Sequence, residues 1–271
     1  MRSVREPAVA GLFYPDNPQV LANAVANYLT GAPVNENDSV THSKTPKAII
    51  VPHAGYIYSG ATAARAFNEL LPSADKIRRV VLLGPSHRVS FKGIAFCSSD
   101  YFRTPLGDIP IDHSALVAVS DLPQVGLLDQ AHEQEHSLEV QMPFLQKVLS
   151  DFKLVPLVVG EADTQSVARI IERLWGDDAT LFVISSDLSH YHDDMTARRM
   201  DAATCDAIEH LSPDAISFDQ ACGRNPVKGF LDVARHRHMD VKTLAMCNSG
   251  DTSGDHERVV GYGAWAFWEA E

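Results

Sequence analysis

The chain has 271 residues, 45% hydrophobic and 21% charged, with a formal net charge of −12. That length supports one full α/β core, and the acidic balance opposes binding to nucleic acid or to an anionic membrane surface. No stretch approaches the roughly 18 apolar residues of a membrane span, and residues 1–7 lack the apolar segment of a secretory signal, so a cytoplasmic protein is expected.

Ala10-Gly11-Leu12-Phe13-Tyr14-Pro15 is a short apolar segment ending in a turn, suited to covering a sheet edge. Asn17 is placed to cap a helix running to Leu29. Residues 31–46 are polar and turn-rich and read as a mobile loop, not a domain linker. Strands are expected at 47–52, 79–84, 93–97, 154–159 and 180–186, then at 241–245 and 259–268. Helices are expected at about 59–71, 113–119, 163–175, 194–210 and 225–238. Residues 100–112 read as a turn connection around Thr104-Pro105-Leu106-Gly107-Asp108. Residues 133–149 read as an acidic turn feeding a helix despite Pro143. Helical segments alternating with uninterrupted apolar runs imply a single α/β domain over residues 1–271. Its central sheet, mostly parallel or mixed, is flanked by helices.

Three of the buried strands end in the same way. Ala48-Ile49-Ile50-Val51-Pro52 delivers His53. Val80-Val81-Leu82-Leu83-Gly84-Pro85-Ser86 delivers His87. Leu181-Phe182-Val183-Ile184-Ser185-Ser186 delivers Asp187 and His190. Ligands of open α/β sheets bind outside the carboxyl ends of the strands, so these groups point at one crevice. Neutral imidazole is the commonest protein ligand for first-row transition metals, and a strand end fixes it without a separate ordered loop. Singly, each histidine could instead cap a turn. Asp187 and His190 could be a ligand pair or a general base with its orienting carboxylate, or Asp187 could cap the next helix. Glu135-His136-Ser137-Leu138-Glu139 offers a supporting carboxylate or a ligand, with His136 and Glu139 on one helix face. The four cysteines, Cys97, Cys205, Cys222 and Cys247, show no C-x-x-C and read as free thiols. Each alone reads first as a buried inert thiol, and Cys222 or Cys247 could instead line the crevice as a soft ligand or nucleophile. The absence of a P-loop and of G-x-G-x-x-G leaves no nucleotide cofactor, and the absence of G-x-S-x-G argues against an esterase-type triad.

Taken with Tyr101-Phe102-Arg103-Thr104-Pro105-Leu106-Gly107, Cys222-Gly223-Arg224 and the closing Gly261-Tyr262-Gly263-Ala264, these motifs resemble the Memo family. In prokaryotes that family carries the label AmmeMemoRadiSam system protein B. The match runs in order over nearly the whole chain, from Arg5-Glu6-Pro7 onward. The resemblance implies a fold like that of class III extradiol dioxygenases, with a redox metal, Fe(II) first and Cu second. It makes His53 and His87 metal ligands and His190 the acid/base histidine, with Asp187 beside it. The glutamate ligand of the dioxygenases is not kept in the family, and eukaryotic members use a cysteine near the C-terminus. Thr252 falls at that position here and Cys247 several residues before it, so the third ligand or pocket residue stays open among Cys247, Thr252, Cys222, His136 and Glu139. Two readings follow. One is a metal-dependent dioxygenase-like oxidoreductase acting on a small molecule. The other is a non-enzymatic module that binds a peptide or small ligand in the same crevice and needs no metal. The family label also implies association with AMMECR1-like and radical-SAM proteins. Neither substrate nor oligomeric state is legible.

Overall fold

The structure, a computed structural model, describes residues 2–32 and 45–270. Most of the loop expected over 31–46 falls outside the described residues. The N-terminal half carries β1 (Val4–Arg5), α1 (Pro18–Gly31), β2 (Ala48–Val51), α2 (Tyr56–Asn68), β3 (Arg79–Pro85), β4 (Ile94–Phe96), β5 (Tyr101–Thr104), β6 (Gly107–Pro110), α3 (His113–Val119) and β7 (Val125–Leu127). After them come α4 (Gln130–Glu133), α5 (Met142–Val148), β8 (Lys153–Val159), α6 (Thr164–Leu174), β9 (Thr180–Ser185), β10 (His190–His192), α7 (Asp194–Glu209), α8 (Arg224–His236), β11 (Asp240–Asn248), α9 (Gly250–Ser253) and β12 (Val259–Trp268).

A nine-stranded mixed sheet has the order β10-β12-β2-β9-β3-β8-β4-β7, with β11 also paired to β12. Its centre is parallel: β2 pairs with β9, β9 with β3, and β3 with β8. The strands from the C-terminal part of the chain join it antiparallel, β12 on β2 and β11 on β12. Every residue of β2 and β9 is buried, without the alternation of a half-exposed strand, so both faces of the sheet are covered. Helix α2 packs on β2 and β12 together with α1 and α5, while α8 packs on β3 and β9 together with α6. Each fully buried Ile, Leu or Val of these strands contributes roughly 1.5–3 kcal/mol by leaving water.

The expected strands and helices recur with small shifts of boundary. Asn17 caps α1 by accepting from the backbone N–H groups of Gln19 and Val20. Pro143 sits in the first turn of α5, where its missing N–H costs no hydrogen bond. Residues 100–112 differ from expectation. They fold as the hairpin β5–β6 around the expected turn and form a separate three-stranded sheet with β1, in the order β1-β5-β6. The segment following β1 packs against His136 and the start of α2. Phe13 lies against the His136 ring, 4.8 Å between centroids, and its carbonyl accepts from Tyr56 N–H at 2.8 Å. No helix among the described residues is long and apolar enough to cross a membrane.

Candidate metal centre

Strands β2, β9 and β3 are consecutive neighbours, and their carboxyl ends deliver His53, Ser185 to Asp187, and His87. The ends of β2 and β3 are two strand spacings apart, about 10 Å. The imidazoles lean across that gap until the His53 and His87 ring centroids are 5.2 Å apart. A third ring enters from the loop between α4 and α5: His136 stacks on His87 at 4.5 Å and lies 5.5 Å from His53. Each of the three rings offers a nitrogen, and these atoms lie within 4.8 Å of one another. Gly84 makes the approach of that loop possible. A Cβ there would lie 2.7 Å from Ser137 Oγ and 2.9 Å from Leu138 Cδ2.

Hydrogen bonds fix how the rings face each other. Glu135 accepts from His87 N–H at 2.6 Å, from His87 Nδ1 at 2.9 Å and from Ser137 N–H at 2.8 Å. A carboxylate on Nδ1 makes that nitrogen the donor and leaves Nε2 free, the arrangement that orients metal-binding histidines. Burial pushes the Glu135 carboxyl up, but the hydrogen bonds and charge of His87 outweigh it and hold the group down at about 2. Burial first, and then the neighbouring rings of His53 and His87, lower His136 to about 4. Burial likewise pushes His53, 1% exposed, well below the ordinary imidazole value, with His87 adding to the effect. His53 and His136 are therefore neutral at physiological pH, the form that ligates metals. His136 Nδ1 is buried with no hydrogen-bond partner among the described residues and faces the Glu135 carboxylate at 3.5 Å. The donor set therefore fits a transition metal.

Other expected residues fall in different places. Asp187 turns its carboxylate to the backbone N–H of His53 at 2.7 Å, with its second oxygen 4.0 Å from His53 Nε2. It neither orients His190 nor caps α7, whose cap is Asp193. Burial raises the Asp187 carboxyl against the hydrogen bond from His53 and the pull of nearby histidines. His190 is held through Nδ1 on the Leu188 carbonyl at 2.8 Å, so Nε2 is its free nitrogen. Together with His87 and Cys222 it lines a cleft of about 970 Å³, walled also by Arg88, Tyr191, Phe218 and Arg224. Tyr191 carries a φ of +63°, and Arg224 stacks over Phe218 at 4.1 Å.

The other four candidates for the third ligand lie outside the three-histidine group. Glu139 does not share a face with His136. It is fully buried, accepts from Ala8 and Val9 N–H and from Tyr14 Oη at 2.8, 3.0 and 2.5 Å, and pairs with Arg5, pinning the N-terminal segment instead. Cys247 is on β11 with its sulfur 2.9 Å from Thr62 Oγ1, outside the three-histidine group. Thr252 is exposed on α9 and gives its hydroxyl to the Ser249 carbonyl at 3.0 Å. Cys222 places Sγ 3.3 Å from His53 Nε2 without joining the group, and burial pushes its thiol pKa up. His136 is the residue brought to the two strand-end histidines. Its polar neighbours Glu135, Ser137 and Glu139 are all buried beside it, which the sequence does not show.

The sequence profile of Memo-like proteins matches residues 5–266. A MEMO1 family protein of Aquifex aeolicus is 36% identical over 96% of this chain and 97% of its own length. One from Methanocaldococcus jannaschii is 33% identical over 97% and 98%, and one from Aeropyrum pernix is 34% identical over 96% and 98%. The crystal structure of an uncharacterized protein from Escherichia coli K12 superposes with a TM-score of 0.48 at 12% identity, over 79% of this chain and 98% of that one. With the family profile spanning the chain and relatives above 30% identity along its whole length, the protein belongs to the Memo family.

Proposed function

We propose that the protein binds a redox-active transition metal, Fe(II) first and Cu second, through His53, His87 and His136. In this reading a small molecule is transformed in the adjoining cleft. The carrying observation is the approach of three imidazole nitrogens to within 4.8 Å, two of the rings kept neutral by burial and the third braced by Glu135. Imidazole donors suit Fe, Cu and Zn, and the fold likeness to extradiol dioxygenases that the Memo resemblance implies favours iron. The bound ion would supply Lewis acidity and one-electron chemistry.

The chain's own groups supply the rest. His87 is the ring that meets solvent, its side chain 28% exposed, so a small molecule reaches the centre from that side. His190 in the same cleft presents Nε2 as the group that takes or gives a proton. Tyr191 and Phe218 line the cleft with exposed aromatic surface, which suits a flat or apolar substrate body. The test is anaerobic purification followed by elemental analysis and Fe(II) and Cu(I) titration of the wild type, His53→Ala and His87→Ala. Near-stoichiometric metal in the wild type that disappears in both variants supports the assignment. Full metal content in both variants overturns it. The same aromatic surface would serve a peptide-binding module, and a folded wild type that takes up neither metal would favour that second reading.

A further inference from the structure

The ring of His53 is held by groups on three other segments, and their hydrogens can be counted. Ser185 Oγ lies 2.8 Å from His53 Nδ1, 2.6 Å from the Ser137 carbonyl and 2.9 Å from Gln141 Nε2. All four residues are buried, so no solvent substitutes for a missing partner. The serine has one hydrogen to give. The Ser137 carbonyl can only accept, and at 2.6 Å it takes that hydrogen. Gln141 cannot supply an acceptor to Ser185. Its Nε2 also donates to the Pro52 carbonyl at 2.8 Å, and a flipped amide would set Oε1 against that oxygen. Ser185 Oγ is left with lone pairs only, so His53 Nδ1 must carry a proton and give it to Ser185. Nε2 then holds a lone pair, with Cys222 Sγ at 3.3 Å and the second Asp187 carboxylate oxygen at 4.0 Å beside it.

We infer that Ser185, set by Gln141 and the Ser137 carbonyl, is a positioning residue that locks His53 in the Nδ1–H tautomer and turns its Nε2 lone pair toward His87 and His136. This rests on the metal-binding reading above and adds to it the device that prepares the ligand before metal arrives. The bond from Ser185 ends on the Ser137 carbonyl, and Ser137 N–H ends on Glu135, the carboxylate that sets His87. One circuit, His53–Ser185–Ser137–Glu135–His87, buried up to its exposed end at His87, thus fixes the two strand-end rings, with His136 on the chain between Glu135 and Ser137. Supporting bonds of this kind change metal affinity about 10–100-fold when removed.

Two measurements test it. Long-range proton–nitrogen NMR of the metal-free wild type should find His53 with the proton on Nδ1 and an unprotonated Nε2. Co(II) titration should then show Ser185→Ala binding 10–100-fold more weakly, its His53 signals now a mixture of tautomers, with Ser185→Thr restoring both. A wild-type His53 protonated on Nε2 would overturn the inference. So would a Ser185→Ala protein with unchanged tautomer and Co(II) affinity. Should Ser185→Ala not fold, the wild-type tautomer decides. A wild type that takes up no Co(II) removes the metal reading, while the tautomer measurement still decides the role of Ser185.

Discussion

Replacing Glu135 with glutamine separates the support of the centre from the centre itself. The carboxylate accepts three hydrogen bonds, two from His87 and one from Ser137 N–H, and it is 2% exposed. Its pKa falls from the model-peptide 4.5 to about 2. At 1.36 kcal/mol per unit, the folded protein favours the charged form by on the order of 3 kcal/mol. An amide keeps one acceptor oxygen but sets an N–H against a donor, so Glu135→Gln should lose a comparable amount of stability at pH 7. The pH dependence carries a sign. A depressed carboxylate stabilises above its unfolded pKa, and the contribution is lost as pH falls toward the folded value. The difference between wild type and variant should therefore be constant from pH 7 to about 5 and shrink below 4.5. Urea unfolding of both metal-free proteins from pH 7 to 3, beside a Co(II) titration, measures both quantities. A variant as stable as wild type at pH 7, or a gap that widens on acidification, would refute the reasoning.

Three further outcomes follow from the same structure. Glu139→Gln breaks a buried ion pair with Arg5 and should cost about 3–5 kcal/mol in urea unfolding while the folded fraction still binds metal; normal stability with lost metal would return Glu139 to the ligand set. Gly223→Ala would bring a Cβ to 2.6 Å from the Ser185 carbonyl and 2.7 Å from Ser186 Cβ, so a loss of about 1–3 kcal/mol and a weakened cleft are expected, and an unchanged Tm would contradict that packing. His132 and His136, both lowered to about 4, and His53, held well below the ordinary imidazole value by burial, stay neutral when folded but gain protons near pH 6.5 when unfolded. Stability of the metal-free protein should hold above pH 6.5 and fall between 6.5 and 4, and a Tm that is flat or rising on acidification would count against three buried neutral imidazoles.

What was legible in the sequence is what local pattern encodes. Buried parallel strands appear as unbroken apolar runs, so β2, β3 and β9, and with them His53, His87 and Asp187, could be placed from residues alone. Their convergence follows because the three strands are neighbours. The third histidine was not separable from its alternatives. His136 stands on a loop whose position depends on bonds that its neighbours Glu135 and Ser137 make to His87, Pro85 and Ser185, partners distant in sequence, and on the space left by Gly84. Glu139 misled because an i, i+3 spacing implies a shared face only on a continuous helix, whereas a 3₁₀ turn begins at Glu139 itself and His136 lies before it. The hairpin β5–β6 was missed because its strands are four residues each, too short for periodicity to register, although its turn was recognised.

The central claim is that His136, not a cysteine of the C-terminal segment, completes the centre. The most direct measurement is the metal content of anaerobically purified wild type, His136→Ala and Cys247→Ala after equal Fe(II) loading. The account predicts near-stoichiometric iron in the wild type and in Cys247→Ala, and loss in His136→Ala. Iron retained in His136→Ala but lost in Cys247→Ala would contradict it.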